Sequence, residues 1–282
     1  MNKKKCVELF LFCIGMILIL INIFGLFIPL KNPDIYREKK TGFENDTTIS
    51  YKQALKMLQN TKNTDTKKYV VEINDIFNRA IAHYWENEGI KKYNLTIPIY
   101  ENYILFLLHY IHPSSYEKYE YCDYSKTIER DVGLCSQHAI ALVDFLMSNG
   151  IEAHTVGLDG HVVATADVNG EWWILDPDYG VVIPHNIEAI QRDPAIVKEY
   201  YFKKTQKNGE DAVNNIANIY ERKGNVIYPS NMLGNMTYGY ADCYLKKVLI
   251  EGISYILKWL IPLSLTFPLI YSSILRRRYE NE

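Results

Sequence analysis

Residues 130–184 decide the fold of this chain. They read RDVGLCSQHAIALVDFLMSNG and then IEAHTVGLDGHVVATADVNGEWWILDPDYGVVIP. Cys135 stands where a loop is predicted to turn into a helix, His161 opens a predicted strand, and Asp176 closes the next one. A nucleophile, a base and a carboxylate in this order are typical of a cysteine-dependent acyl-transfer enzyme.

The segments on either side of Asn169 and Gly170 predict a β-hairpin. Residues 161–168 and 171–176 are rich in valine, alanine, threonine, isoleucine and tryptophan. An Asn-Gly pair between two such runs favours a type I′ turn, because both central positions of that turn need a positive φ. We therefore predict two antiparallel strands joined by a two-residue turn.

The two-residue turn fixes which side chains share a face of this hairpin. It places Val168 opposite Glu171 and, in the same register, Asp176 opposite Val163. His161 is two residues from Val163, so it lies on the same face as Asp176, as a diagonal neighbour. A loop of odd length would put the imidazole and the carboxylate on opposite faces. The sequence favours an even length and hence a histidine–aspartate pair.

Cys135 has its own setting at the start of a predicted helix. Gly133 permits an unusual backbone just before it, and a stripe of apolar residues at helical spacing follows. The stripe consists of Ala139, Ile140, Leu142, Val143, Leu146 and Met147. The positive end of the helix dipole and the unpaired backbone N–H groups favour a thiolate over a thiol there. The same N–H groups are candidates for part of an oxyanion hole.

These placements assign a role to each candidate residue. Cys135 is the predicted nucleophile, His161 its proton acceptor and later donor, and Asp176 the group that fixes the imidazole tautomer. Asp178 is a rival orienting acid, although it falls beyond the end of the strand. Gln137 is a candidate oxyanion donor, although a place on the helix surface is its default position.

The same residues resemble a known family. The pattern runs through Arg130, Gly133, Cys135 and Ala139, continues with Gly-Ile-x-Ala at 150–153 and with His161, and ends in Trp173-x-x-Asp176-Pro177. Together these pieces resemble the transglutaminase-like superfamily of papain-type fold. The resemblance implies an α+β core in which a helix bearing the cysteine packs on an antiparallel sheet bearing the histidine and the aspartate.

The resemblance does not choose the reaction. Members of the superfamily include transglutaminases, peptidases, amidases and inactive relatives, so the fold leaves the chemistry open. Many members also place an aromatic residue just after the histidine, whereas Val162 stands here. This departure leaves the cleft walls and the substrate class open.

The composition argues against several classes of function. The chain has 282 residues and a formal net charge of −2. Its sequence contains no basic patch, no glycine-rich phosphate loop and no zinc-finger spacing. We therefore expect no nucleic-acid partner and no cofactor. Cys135 and His138 are spaced like half a zinc site, but no second pair of ligands accompanies them, so we expect no metal.

Five cysteines are too few for a disulfide scaffold in a chain of this length. Cys122 and Cys243 lie in the polar part of the chain. They either form a disulfide, if the domain is outside the cytoplasm, or remain two free thiols. Their spacing does not choose between these alternatives.

The N-terminus predicts a membrane anchor over residues 1–30. Lysines at 3–5 precede the uncharged run Leu9–Leu30, which has 22 residues. As a helix this run extends about 33 Å, enough for a hydrocarbon core of ~30 Å. A cleaved signal peptide is the main alternative, disfavoured by the length of the run and the lack of a small-residue cleavage site. Residues 31–50 are polar and predict a linker.

The C-terminus predicts a second membrane helix over residues 247–275, followed by a basic cytoplasmic tail at 276–282. The run 252–275 is apolar apart from Lys258. An amphipathic helix docked on the membrane surface is the alternative. Basic residues flank both spans on their outer sides. By the positive-inside rule they place both termini in the cytoplasm and residues 31–246 outside.

Residues 51–246 are predicted to form the transglutaminase-like domain. Two further helices are predicted in it, within Lys67–Glu88 and within Tyr100–Ile111, from apolar residues at helical spacing and a stop at Pro113. We expect both helices to form the layer packed beside the cysteine helix.

The sequence thus predicts a membrane-anchored enzyme that transfers acyl groups through a thioester at Cys135. An amide or peptide hydrolase and a transamidase both fit. The expected substrate is a peptide, protein or glycan of the cell envelope, and the lipid bilayer is the other expected partner. The alternative is a non-catalytic envelope scaffold, or a polysaccharide-assembly factor, that keeps the fold and binds peptide or glycan.

Overall fold

The computed structural model describes most of the chain. The described residues are 3–31, 48–83, 90, 93–204, 209–221, 226–228 and 240–280. Most of the predicted linker at 31–50 and the last two residues of the predicted tail lie outside this part of the chain.

The described residues form helices and short strands. The helices are α1 (Lys3–Gly25), α2 (Tyr51–Asn60), α3 (Thr66–Ala80), α4 (Tyr103–Ile111), α5 (Pro113–Tyr116), α6 (Tyr124–Arg130), α7 (Cys135–Ser148), α8 (Ile187–Arg192), α9 (Ala195–Lys204), α10 (Gly209–Glu221), α11 (Tyr240–Leu245) and α12 (Ile253–Glu280), with a π-helical segment, Lys246–Gly252, before the last. The strands are β1 (Ala82–His83), β2 (Val132–Gly133), β3 (Ala153–Leu158), β4 (His161–Val168), β5 (Glu171–Asp176), β6 (Val181–Ile183) and β7 (Val226–Tyr228). The protein is therefore α+β, as predicted.

The chain folds into two compact units. The helical unit comprises Met1–Leu30, Asn94–Tyr119 and Val248–Glu282, and the mixed unit comprises Lys31–Tyr93 and Glu120–Lys247. The mixed unit contains every strand and the three residues of the predicted site. The helical unit contains α1, α4, α5 and α12. The prediction that a helix within Tyr100–Ile111 packs beside the cysteine helix is wrong, since α4 folds with the long apolar helices.

The central sheet of the mixed unit is antiparallel, with the strand order β6-β5-β4-β3-β7. The register predicted for the β4–β5 hairpin is confirmed, with Val168 opposite Glu171. Asn169 and Gly170 have φ of +60° and +87°, the positive values that a type I′ turn requires. The turn chemistry of one dipeptide thus sets the register on which the site depends.

Each face of this sheet covers a separate hydrophobic core. Side chains of β4 alternate between the two cores: Ala164 and Val168 belong to the core under α3 and α7, and Val163 belongs to the core under α8, α9 and α10. Because successive side chains of a strand point to opposite faces, His161 shares the second face with Val163. Asp176 lies on that face too, by the hairpin register.

Helix α7 packs on β3 and β4 and against α3. Phe77 of α3 and Phe145 of α7 have ring centroids 5.9 Å apart, and Tyr124 lies 5.2 Å from Phe145. The helix predicted within Lys67–Glu88 is thus α3, and its place beside the cysteine helix is confirmed. Residues 84–88 of that prediction lie outside the described part of the chain.

A disulfide joins Cys122 to Cys243, with Cα atoms 5.2 Å apart. Of the two alternatives that the sequence leaves open, the structure therefore has the disulfide. The bridge closes a long loop, with a sequence separation of 121, so in the chain-entropy account it disfavours the unfolded chain by about 5 kcal/mol. Among the described residues, the free thiols belong to Cys6, Cys13 and Cys135.

Helices α1 and α12 pack against each other in the helical unit. They meet closely at Gly15, where an added Cβ would lie 2.7 Å from the carbonyl oxygen of Pro262. Small residues allow such an approach between apolar helices. The helical stretches Lys3–Gly25 and Cys243–Ser273 each contain an 18-residue window that is strongly apolar, with a mean hydropathy of 2.6 and 1.6. By length and composition, the chain thus has two candidate membrane-spanning helices.

Candidate active site

Helix α7 begins at Cys135, at the point where the sequence predicts a helix start. The residue before it, Leu134, caps the helix without a side-chain hydrogen bond, so the N–H groups of the first turn receive nothing from the cap side chain. Gly133 does not have a left-handed φ; an added Cβ would instead lie 2.6 Å from Cβ of Gln137. A glycine is therefore needed at this position because the loop packs closely on its own helix. The unusual backbone that we predict for Gly133 is not found.

A buried polar network holds the loop before Cys135. Arg130, which is 1% exposed, donates from Nη2 to Oε1 of Gln137 at 2.7 Å and lies over the ring of Tyr121 at 5.3 Å. Gln137 also accepts the N–H of Tyr121 and donates to its carbonyl oxygen, both at 2.7 Å. Gln137 is therefore buried and fixes the loop; its predicted place on the helix surface is wrong, and nothing in its bonding favours an oxyanion role.

His161 and Asp176 form a buried pair. The imidazole Nε2 lies 2.8 Å from Oδ2 of Asp176, and the two residues are 8% and 0% exposed. With Nε2 on the carboxylate, Nδ1 is the nitrogen left for the hydrogen bond with the Cys135 side chain. The structure thus brings together the three residues that the sequence assigns to the site.

The neighbours of His161 favour its protonated form. Burial by itself would lower the pKa of the imidazole. The Asp176 carboxylate, through its charge and its hydrogen bond, and then the Cys135 sulfur outweigh burial and hold that pKa well above its usual value. A protonated imidazole next to a sulfur is an arrangement that stabilises a thiolate.

Each carboxylate oxygen of Asp176 has two hydrogen-bond partners. Besides the imidazole, Oδ2 accepts a short hydrogen bond from the hydroxyl of Tyr201. Oδ1 accepts the backbone N–H groups of Asp178 and Tyr179 at 3.0 and 3.1 Å. The hydroxyl of Tyr220 lies 3.0 Å from that of Tyr201 and extends the network. The carboxylate is therefore held in one orientation, and it holds the imidazole in turn.

Tyr201 and Tyr220 are parts of the site that sequence reasoning missed. They come from α9 and α10, and both are fully buried. Burial and then the charge of Asp176 raise the pKa of both hydroxyls well above the usual value, so both keep their protons at neutral pH. No spacing in the sequence links these helices to the hairpin, because only the packing of the second sheet face brings them there.

Tyr179 closes one side of the imidazole. Its ring lies 5.5 Å from the ring of His161, nearly perpendicular to it at 86°. Burial, then the charges of Asp178 and Asp176, and then Cys135 raise the pKa of its hydroxyl. Tyr179 is therefore a neutral wall of the site close to the thiol.

A second histidine–aspartate cluster lies beside the first, and the sequence does not predict it. His83 Nδ1 is 2.9 Å from both carboxylate oxygens of Asp178. His138 has Nδ1 2.8 Å from the carbonyl oxygen of Leu134 and Nε2 3.0 Å from that of Ile81, and Asp178 Oδ1 lies 3.8 Å from Nε2. Carbonyl oxygens only accept, so each ring nitrogen of His138 faces a hydrogen-bond acceptor of the backbone.

Asp178 provides the negative charge of this second cluster. Burial by itself would raise the pKa of its carboxyl, but the charges of His138 and His83 lower it to about 2. Asp178 is thus engaged with two other histidines, whereas Asp176 is the carboxylate hydrogen-bonded to His161.

His138 also bears on the half zinc site that its spacing from Cys135 indicates. Both of its ring nitrogens face carbonyl oxygens, so neither offers a lone pair to a metal. Within the described part of the chain, no group of three or more histidine, cysteine, aspartate or glutamate residues is placed to hold a metal ion.

No protein-family model, no curated protein and no solved structure matches this chain. The fold and the site define an α+β protein with a cysteine, a histidine and an aspartate in contact at the start of a helix. Any assignment of function therefore rests on this geometry and on the sequence pattern.

Proposed function

We propose that this chain is a membrane-anchored cysteine acyl-transfer enzyme with a transglutaminase-like core. The contacts that run from Cys135 through His161 to Asp176 are the observation that carries the proposal. They join a thiol at a helix start to an imidazole whose pKa is raised and whose other nitrogen is held by a fixed carboxylate. Such an arrangement activates a thiol as a nucleophile.

In the proposed reaction, Sγ of Cys135 attacks the carbonyl carbon of an amide and forms a C–S bond. The C–N bond then breaks, and the leaving amine takes the proton from Nδ1 of His161. The product is a thioester. Water or a second amine attacks it and gives its proton back to His161, and the C–S bond breaks to restore the thiolate. Water makes the enzyme a hydrolase, and an amine makes it a transamidase.

The start of α7 supports the stabilisation of the oxyanion that forms in each step. The cap side chain of Leu134 provides no hydrogen bond to the first turn, so backbone N–H groups beside Cys135 are available as donors to a developing negative charge. Asp176 serves to orient the imidazole and to stabilise its protonated form.

The cell envelope is the proposed place of action. The Cys122–Cys243 disulfide supports a location outside the cytoplasm, since such bonds persist in oxidising compartments. The lysines at 3–5 and the arginines at 276–278 flank the two candidate spans on their outer sides, in agreement with cytoplasmic termini. A peptide, protein or glycan of the envelope is the substrate that this location favours.

The proposal is tested by the reactivity of Cys135 in the full-length chain in detergent. Iodoacetamide labelling is followed residue by residue from about pH 5 to about pH 9, with glutathione in the same tube as an ordinary thiol. Near pH 6 we expect Cys135 to label far faster than glutathione. His161→Gln should slow it by about two orders of magnitude, because a thiol without an imidazolium partner is sparsely ionised there. His83→Gln, which changes the other histidine–aspartate pair, is the matched control and should leave the rate unchanged.

The opposite result has an equally definite meaning. If Cys135 labels no faster than glutathione and does not respond to His161→Gln, the mechanism above is excluded. The non-catalytic scaffold, binding peptide or glycan through the same fold, then takes its place.

A further inference from the structure

Helix α4 carries an apolar face that no part of the described structure covers. Its sequence, YILFLLHYI, has nine residues and no acidic residue, lysine or arginine. Leu107, Tyr110 and Ile111 are 53%, 69% and 76% exposed, and their spacing puts them on one side of the helix. A helix on the surface of a water-soluble domain normally presents polar residues there.

The start of α4 is joined to the helix α12. Asn102 caps α4 by accepting the N–H groups of the first turn, and its Nδ2 donates to Oγ of Ser254 at 2.9 Å. Lys258 Nζ donates to the carbonyl oxygen of Glu101 at 2.6 Å. Asn102 and Ser254 are almost fully buried. The exposed face of α4 is therefore held at a fixed place beside the first turns of α12.

The same segment contacts the end of α1. An added Cβ at Gly25 would lie 1.9 Å from the carbonyl oxygen of Tyr100, so the two backbones touch. Nδ2 of Asn94 donates to the carbonyl oxygen of Leu30 at 2.7 Å. The segment that leads into α4 thus lies against the C-terminal end of α1, at the same end of the helix pair as the start of α12.

The length of α1 gives the depth of this contact. The last charged side chain of α1 belongs to Glu8, so its uncharged part begins at Leu9. From Leu9 to Gly25 the helix rises about 25 Å, which is some 5 Å less than a hydrocarbon core of ~30 Å. The contact between Gly25 and Tyr100 therefore lies within about 5 Å of the edge of that core. Tyrosines are favoured at this depth, and the segment Asn94–Tyr119 contains five of them: Tyr100, Tyr103, Tyr110, Tyr116 and Tyr119.

We propose that α4 is an interfacial membrane helix, and that Leu107, Tyr110 and Ile111 insert among the lipids at this end of the two spans. Nine residues extend only about 13 Å, so α4 lies in the interface and does not cross the bilayer. The partner of this face is lipid, since the face adjoins the lipid-exposed ends of the spans and carries no acidic residue, lysine or arginine. The inference rests on the proposed membrane anchoring.

The test uses the full-length chain reconstituted in phosphatidylcholine vesicles. An environment-sensitive fluorescent amino acid replaces Ile111 in one variant, Ile17 in the middle of α1 in a second, and Phe202 of α9 in a third; the last two are 57% and 52% exposed. Lipids brominated near the top or near the end of the acyl chain act as quenchers at two depths. We expect Ile111 to lose emission mainly to the shallow bromines, Ile17 mainly to the deep ones, and Phe202 to neither.

Each other outcome overturns a definite statement. If Ile17 is quenched but Ile111 behaves like Phe202, the chain spans the membrane but α4 is not an interfacial helix. If the emission at Ile111 is blue-shifted but not quenched, a second protein surface, such as another copy of this chain, covers that face. If Ile17 is not quenched, the proposed membrane anchoring fails and this inference fails with it. The proposal is supported if the deep bromines quench Ile17, the shallow bromines quench Ile111, and neither quenches Phe202. The shallow quenching at Ile111 should also stay the same when the protein is diluted with further lipid.

Discussion

Asp176 and Asp178 lie two residues apart at the end of β5, and each contacts a different histidine. The two histidine–aspartate pairs differ in the groups that surround them. Asp176 holds His161, whose second nitrogen is left for the Cys135 thiol. Asp178, two residues further on, holds His83 and stands 3.8 Å from His138, whose two nitrogens face backbone carbonyl oxygens.

The difference teaches that a histidine–aspartate contact is not by itself a sign of catalysis. A general base needs one nitrogen directed at the group whose proton it moves. His161 meets that condition and His138 does not, although both rings are buried next to a carboxylate. We infer that the first pair serves the chemistry and that the second cluster stabilises the walls of the site.

The largest expected effect is the loss of stability in Asp178→Asn. The change removes the buried carboxylate that faces His83 and His138, and removing one partner of a buried charged pair costs about 3–5 kcal/mol. Thermal unfolding of the full-length chain in detergent measures it, with Glu188→Gln on the exposed surface as the control. The pKa of Asp178 is lowered, so the stability that it contributes is present above its usual pKa of 3.8 and is lost as pH falls toward about 2.

The same variant also tests the division between the two pairs. In molecules that remain folded, Asp178→Asn should alkylate at Cys135 within a few-fold of the unchanged protein. A normal melting temperature together with a lost thiol reaction would mean that the second cluster takes part in the chemistry after all.

The next effect in size is on the titration of His161 in Asp176→Asn. Removing the carboxylate charge should lower the pKa of the imidazole by about one to three units. The ring signals of histidine-labelled protein, assigned with His161→Gln, report this pKa by NMR. An unchanged titration would show that Asp176 is not what holds the imidazole protonated.

The sign of the accompanying stability change follows from the direction of the shift. Because the folded pKa of His161 is raised, the stability from its pair with Asp176 is full below the usual imidazole pKa of 6.5 and is lost as pH rises through the raised value. Asp176→Asn should therefore be most destabilising at acidic to neutral pH, and the difference from the unchanged protein should narrow in alkali.

The smallest expected effect separates the two buried tyrosines. Tyr201→Phe removes a donor to the charged Asp176 and should cost about 1.5–3 kcal/mol, whereas Tyr220→Phe removes only a bond between hydroxyls and should cost about 0.5–1.5 kcal/mol. Without the hydroxyl of Tyr201, the carboxylate charge acts more fully on the imidazole, so the pKa of His161 should rise further, opposite to its change in Asp176→Asn. Equal melting temperatures for the two tyrosine variants would contradict the network.

The sequence by itself determined the local features of this protein. The Asn169-Gly170 turn set the register of the hairpin, the apolar stripe after Cys135 marked the helix start, and two long apolar runs marked the candidate spans. Each of these depends on residues a few positions apart, so periodicity and turn chemistry are enough to find it.

Only the tertiary structure decided the features that join distant segments. The bonds of Tyr201 to Asp176, of His83 to Asp178 and of Cys122 to Cys243 link residues 25, 95 and 121 positions apart. The tertiary structure also decided that α4 lies beside the long apolar helices. It decided as well that close packing requires a glycine at position 133. Such contacts arise when whole faces of helices and sheets are buried together, and no short pattern encodes which distant side chain then meets which.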